Sequence, residues 1–204
     1  MRGQPVSLRG KAKGRIIANE LKCGDAVSLQ NGYSNWTGGF LDVTGGGPSG
    51  AAYAAETAPT AARDGLSGTW KIASASGKAA GATVVSGDLV FLVNQYGATT
   101  YLDVNGGPGA GSSAEKYGVS TAAVQNREGA SGEWFLFAET SSPQDGAIRA
   151  GDVVHILSNY SQANGGWLDI SGGAPAGGLG LHSVFTSYYS DRDSGSGDWR
   201  FAQA

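Results

Sequence analysis

The stretch from Gly151 to Phe201 decides the fold, and it contains GDVVHILSNY, then GGWLDISGG, and finally SGDWRF. Its Gly-Asp, aromatic-Leu-Asp and Ser-Gly-x-Trp motifs each occur twice more, earlier in the chain. The marker residues of the first and last motifs are Asp25, Asp88 and Asp152, and Trp70, Trp134 and Trp199. The tryptophans are 64 and 65 residues apart, so the chain is a threefold repeat, which must be assigned before any local structure.

Each repeat has four short apolar or β-branched runs separated by clusters of Gly, Asn, Asp, Ser or Pro, which is typical of strands and turns. In the third repeat these runs are Val153–Leu157, Gly166–Ile170, Leu181–Thr186 and Asp198–Ala202. No segment has a sustained helical period. Twelve strands in three units predict an all-β protein, a β-trefoil, with its last strand near Gly14–Ile17. The domain is expected over residues 14–204, with repeats at about 14–76, 77–140 and 141–204.

The repeated Gly-Asp-x-Val-x-Leu, aromatic-Leu-Asp and Ser-Gly-x-Trp motifs resemble those of β-trefoil families, including MIR-type trefoils and bacterial and fungal trefoil lectins. The resemblance covers nearly the whole chain beyond residue 13 and implies the fold more strongly than any activity. The Gln-x-Trp signature of ricin-type lectins is absent, since each repeat has Ser-Gly-x-Trp instead. Galactose sites of the ricin type therefore do not transfer to this sequence.

Composition limits the classes of function. Glycine supplies 35 of 204 residues, yet the hydrophobic content of 40% with five tryptophans indicates a folded, turn-rich protein. The net charge is −3, although residues 1–13 form a basic arm. The acidic body argues against nucleic acid as a partner. The single cysteine, Cys23, excludes an internal disulfide. No apolar run is long enough for a membrane span or a secretory signal, so the default expectation is a soluble cytoplasmic protein.

Several repeated residues are expected to be structural. The three motif tryptophans are expected to form a layer of the core. The Gly-Asp pairs are typical of turns, because Gly allows positive φ and Asp accepts hydrogen bonds from nearby amides. Each of three arginines precedes an acid in a loop, as Arg63-Asp64, Arg127-Glu128 and Arg192-Asp193. These pairs predict pinned turns, with anion sites as the alternative.

The aromatic-Leu-Asp strands are the candidate binding elements. Strand alternation places the aromatic ring and the Asp on one face and the Leu on the other. If the Leu faces the core, each repeat presents a ring and a carboxylate outside, which suits a sugar: the ring stacks on C–H groups and the carboxylate accepts from hydroxyls. Alternatively, the Asp caps the following turn and the ring shields the barrel. The candidate residues are Phe40, Asp42, Tyr101, Asp103, Trp167 and Asp169, with Asn31, Trp36, Asn94, Tyr96, Asn159, Tyr160, Tyr188 and Tyr189 nearby.

These patterns predict a binding protein, with up to three shallow carbohydrate sites. The alternative is a protein-binding trefoil, such as a protease inhibitor, that uses one non-repeated loop: Thr57–Leu66, Pro108–Tyr117 or Tyr188–Gly197. No catalytic constellation, cofactor motif or Cys/His cluster with metal-ligand spacing is recognised. Both histidines, His155 and His182, interrupt the repeat pattern in the third unit without an assigned role.

Overall fold

A computed structural model describes residues 19–61, 63–106, 114–174 and 178–204. The predicted basic arm and the segment Gly14–Ile17 lie outside these residues, as does most of the predicted loop Pro108–Tyr117. In the described part of the chain, no helix is long and apolar enough to cross a membrane.

The twelve strands in chain order are β1 Ala26–Asn31, β2 Phe40–Thr44, β3 Tyr53–Ala58, β4 Trp70–Ser74, β5 Asp88–Asn94, β6 Thr100–Asn105, β7 Glu115–Ala122, β8 Trp134–Ala138, β9 Val153–Ser158, β10 Trp167–Ser171, β11 His182–Ser187 and β12 Trp199–Gln203. Two four-residue turns, α1 Tyr33–Trp36 and α2 Tyr160–Ala163, follow β1 and β9. Their central residues have φ of 50–63°, so the backbone there is left-handed. The prediction of little helix is confirmed.

The strands form a closed barrel and a cap. Six strands pair antiparallel in a ring, in the order β1, β4, β5, β8, β9 and β12. The other six form three hairpins, β2–β3, β6–β7 and β10–β11, whose second strands pair with one another. This is the predicted β-trefoil. The ring closes where β12 pairs with β1, for example Phe201 opposite Leu29, while the segment Gly14–Ile17 expected near the last strand lies outside the described residues.

The core tryptophans confirm their predicted role. Trp70, Trp134 and Trp199 are fully buried in one hydrophobic cluster. Each donates its indole N–H to the main-chain oxygen of the Leu in its own aromatic-Leu-Asp motif, at 2.9–3.0 Å. Because the polar atom of each ring is paired, the full apolar area stabilises the barrel, and removal of such a side chain typically costs ~3–5 kcal/mol.

The Gly-Asp turns are also as predicted. The carboxylates of Asp25, Asp88 and Asp152 each accept a hydrogen bond at 2.8 Å from the amide three residues earlier. Gly24 has φ of +102°, a conformation that a side chain would strain. The glycine of Ser-Gly-x-Trp is needed for a different reason, which is lack of space. A Cβ on Gly132 would lie 1.9 Å from the main-chain oxygen of Gln125. The glycines of both motifs therefore define backbone geometry.

Candidate functional site

The Asp residues of the aromatic-Leu-Asp motifs are inside the protein, contrary to the sequence expectation. Asp42, Asp103 and Asp169 are each 0% exposed. Each carboxylate is held by the Arg and the Ser that precede the core Trp of the same repeat, and we call this set a clasp. The three clasps are Asp42-Arg63-Ser67, Asp103-Arg127-Ser131 and Asp169-Arg192-Ser196. A sugar hydroxyl at the surface cannot reach these carboxylates.

The clasps explain the repeated arginines. Arg127 contacts Asp103 at 2.5 Å and also donates to the oxygen of Val104 at 2.9 Å. The expected pairing of each Arg with the acid beside it in the sequence is therefore wrong. Strand alternation had correctly placed the Asp opposite to the Leu. It could not show that the loop before Trp134 covers that face of the strand.

Burial raises the pKa of all three clasp aspartates, and the Arg and Ser partners oppose this shift. The pKa of Asp169 rises furthest, to about 6. In that clasp Arg192 lies 3.4 Å and Ser196 lies 3.2 Å from the carboxylate, against 2.5 and 2.7 Å in the second repeat. The third clasp compensates the buried charge least.

The motif rings lie on the outside of the barrel, partly buried. Trp167 belongs to a row of rings with Phe135, Phe137 and His155, with neighbouring centroids 6.0–6.1 Å apart. Tyr101 packs on Phe91, and Phe40 is half-buried on β2. These rings thus stand without the carboxylate that was expected beside them, because that carboxylate belongs to the clasp.

The predicted amide side chains are structural. Asn31 and Asn94 are buried, and each donates to the main-chain oxygen of a clasp Ser, at 2.8 and 2.9 Å. In the third repeat Ser158 takes this position, and Asn159 is one residue later and donates to Glu133 at 2.7 Å. The assignment of Asn159 to the same role was therefore out of register by one residue.

The surface feature that does recur is a cleft at each seam between repeats. After the first strand of each repeat, a Tyr reaches across the seam and packs edge-on against a ring of the preceding repeat. These pairs are Tyr96 with Tyr53, Tyr160 with Tyr117 and Tyr33 with His182, with centroids 5.4–5.6 Å apart. The clasp Arg and its neighbouring acid lie beside the latter two pairs. We call these the seam clefts.

Two seam clefts are open, and in the third the acid is hydrogen-bonded to a tyrosine. The cleft at Tyr117 and Tyr160 has a volume of about 200 Å³. The cleft at Tyr33 and His182 has about 160 Å³. In the remaining seam, the Tyr96 hydroxyl donates to Asp64 at 3.1 Å and occupies the acid that the other clefts present. This hydrogen bond also raises the pKa of Tyr96.

The open clefts lie beside a larger cavity of about 740 Å³ between the three hairpins. Ser49, Asn105 and Gly106 line both this cavity and the cleft at Tyr160. Ser171 and Gly172 connect it in the same way to the cleft at His182. A ligand in either cleft therefore has space to extend toward the pseudo-threefold axis.

Sequence reasoning found Tyr96 and Tyr160 but not their partners in the clefts. Tyr53, Tyr117 and His182 occupy equivalent positions on β3, β7 and β11, a signal visible in the repeat alignment. The contact across the seam was not visible, because it joins different repeats. Of the other predicted residues, Trp36 lies 4.2 Å from the Arg200 guanidinium, while Tyr188 and Tyr189 are 58% and 61% exposed.

No protein-family model and no curated protein matches the sequence. Solved structures do match. The SDF2-like protein from Arabidopsis thaliana is 14% identical with a TM-score of 0.67, over 90% of this chain and 94% of that one. A protein O-mannosyltransferase complex from S. cerevisiae, bound to its sugar donor, is 16% identical with a TM-score of 0.69, over 94% of this chain and 27% of that one.

The binding domain of botulinum neurotoxin serotype D is similar as well, with a TM-score of 0.62 and 14% identity, over 93% of this chain and 46% of that one. At these identities the likeness shows the fold alone. The chain has an all-β fold of the MIR or β-trefoil type.

Proposed function

We propose that this protein binds carbohydrate at its open seam clefts. The observation that carries the proposal is the recurrence of a cleft with paired rings, a guanidinium and a carboxylate. Rings stack on the C–H faces of a sugar, while Arg and Glu or Asp bind its hydroxyls. Arg127 and Glu128 supply these groups beside Tyr117 and Tyr160. A site for one protein loop would not need to occur at more than one seam.

The size of the clefts supports a small polar ligand. Volumes of 160–200 Å³ are below the ~300–1,000 Å³ that is typical of pockets for drug-sized molecules. Few groups contact a ligand there, so each site is expected to be weak, with a Kd of roughly 1 mM or ~4 kcal/mol. Two open sites on one rigid barrel would increase the apparent affinity for a multivalent glycan. Some similar solved structures are binding domains, which agrees with a binding role.

A glycan array followed by titration of the best ligand tests this proposal. Tyr160→Ala is expected to weaken binding at least 10-fold at one cleft, and Tyr160→Ala with His182→Ala is expected to abolish array binding. Tyr189→Ala is the matched control, because this exposed Tyr lies in neither open cleft. An array without any bound glycan, or a double variant that binds as well as the wild type, would refute carbohydrate binding at the seams.

The second candidate is a protein-binding module, favoured by Tyr188 and Tyr189. These adjacent exposed rings replace Ala123 and Val124 of the second repeat, and Lys116 lies 5.1 Å from the Tyr188 ring. Exposed aromatics without symmetry are typical of protein interfaces. A partner that binds regardless of added sugar, and is lost only in Tyr188→Ser with Tyr189→Ser, would favour this function over the first.

A further inference from the structure

We propose that His155 and Asp198, supported by Glu139, form a binding site for a divalent transition-metal cation such as Zn²⁺. The site lies on the outside of the barrel, where the residue after β8, strand β9 and the residue before β12 meet. One ligand atom from each side chain lies within 4.8 Å of the others. Motif spacing could not reveal it, because His155 is 16 residues from Glu139 and 43 from Asp198.

The distances around the imidazole match a coordination site. Nδ1 of His155 lies 3.2 Å from the main-chain oxygen of Ser190 and 3.3 Å from that of Gly197. Oδ1 of Asp198 lies 3.7 Å from the same nitrogen. Two ligands on a tetrahedral ion with bonds of ~2.1 Å are ~3.4 Å apart. Three oxygens thus lie 3.2–3.7 Å from one nitrogen of His155, close to the separation of two ligands on one ion.

Asp198 provides an independent reason for a cation. Its Oδ1 is buried and has no hydrogen-bond partner. Among the described residues, no Lys or Arg forms an ion pair with Glu139, Asp191 or Asp198. A divalent cation would neutralise this excess of negative charge.

The second repeat supplies an internal comparison. Glu133 occupies the position of Asp198 there, and its carboxylate accepts from the amides of Asn126 and Asn159 at 3.0 and 2.7 Å. Phe91 stands at the position of His155. The Glu133 carboxylate therefore has two amide donors, whereas Oδ1 of Asp198, which faces the His155 imidazole, has none.

Glu139 completes the arrangement from the other side of the ring. Its Oε1 lies 3.2 Å from Nε2 of His155. When a histidine binds a metal, its second ring nitrogen usually donates to a carboxylate or carbonyl, which orients the ring. Glu139 suits this supporting role, while Nδ1 faces the cation.

Isothermal titration of tag-free, full-length protein with Zn²⁺ tests the proposal. One site is expected, with affinity at least 100-fold weaker in His155→Ala and in Asp198→Asn. Glu139→Gln is expected to lose ~10–100-fold, as supporting residues of metal sites do. His182→Ala is the matched control for zinc bound by an imidazole elsewhere on the surface.

Trp167 gives a second measurement, because its ring lies 6.1 Å from the imidazole of His155. Co²⁺ is expected to quench its fluorescence in the wild type, and Trp167→Phe is expected to remove the quenching without changing zinc affinity. No binding by the wild type at 1 mM Zn²⁺, or equal binding by His155→Ala, would overturn the proposal. If His155→Ala lowers the melting temperature but leaves zinc affinity unchanged, His155 has only a structural role, and the metal-site proposal is overturned.

Discussion

The clasps of the second and third repeats have the same three residue types but differ in strength. In the second, Arg127 and Ser131 lie 2.5 and 2.7 Å from Asp103. In the third, the corresponding distances to Asp169 are 3.4 and 3.2 Å. The residue opposite on the neighbouring strand differs too: Ser120 faces Asp103, whereas Phe185 faces Asp169.

Phe185 differs from Ser120 in two ways that bear on the clasp. It is buried and apolar, so it offers Asp169 no hydrogen bond. Its ring also lies 5.5 Å from the guanidinium carbon of Arg192, a cation–π contact that competes for the same Arg. Two repeats can therefore share the same backbone and clasp residues and still differ in the surroundings of the buried carboxylate.

The largest expected effect distinguishes the two clasps directly. Asp103→Asn removes a buried charge from a tight pair and leaves Arg127 uncompensated, which should cost about 3 kcal/mol of unfolding free energy. Asp169→Asn should cost under about 1 kcal/mol at pH 7, because that carboxylate is poorly compensated already. Urea denaturation of both variants measures the difference. Equal losses would show that the distances do not govern clasp strength.

The pH dependence of stability should differ in the same direction. The folded-state pKa of Asp169, about 6, exceeds the unfolded value of ~3.9. The stability from protonated Asp169 is therefore fully present below about pH 4 and is lost as pH rises through 6, by about 2–3 kcal/mol. The unfolding free energy of the wild type minus that of Asp169→Asn should fall across this range. A flat difference between pH 4 and 7 would contradict the raised pKa.

The first repeat gives the smallest expected effect. Glu56 faces Asp42 where Ser120 faces Asp103, and it is fully buried beside the Gly180 amide and Arg63. Burial raises its pKa, and the backbone amide of Gly180 and then Arg63, at 3.5 Å, oppose the shift. Glu56→Gln should stabilise the fold by about 1 kcal/mol at pH 8 and little at pH 4. Thermal unfolding at both pH values checks this, and a loss of stability at pH 8 would mean that the charge is needed.

The sequence predicted the fold because the repeat fixes which residues are equivalent. Strand order, the buried tryptophans and the Gly-Asp turns all follow from local patterns that occur three times. The site was predicted less well, because alternation assigns a face to Asp103 but does not reveal what covers that face. Contacts such as Tyr33 with His182 join the first and third repeats, so no local pattern contains them.

The pairing of β12 with β1 has a consequence for valency. A row of three units has two junctions, whereas a ring of three has three, and each seam cleft belongs to a junction. The cleft of Tyr33 and His182 lies at the junction that exists only because the ring is closed. Fraying of the terminal strands would remove that junction first, so the number of intact seam clefts depends on how the chain ends are held together.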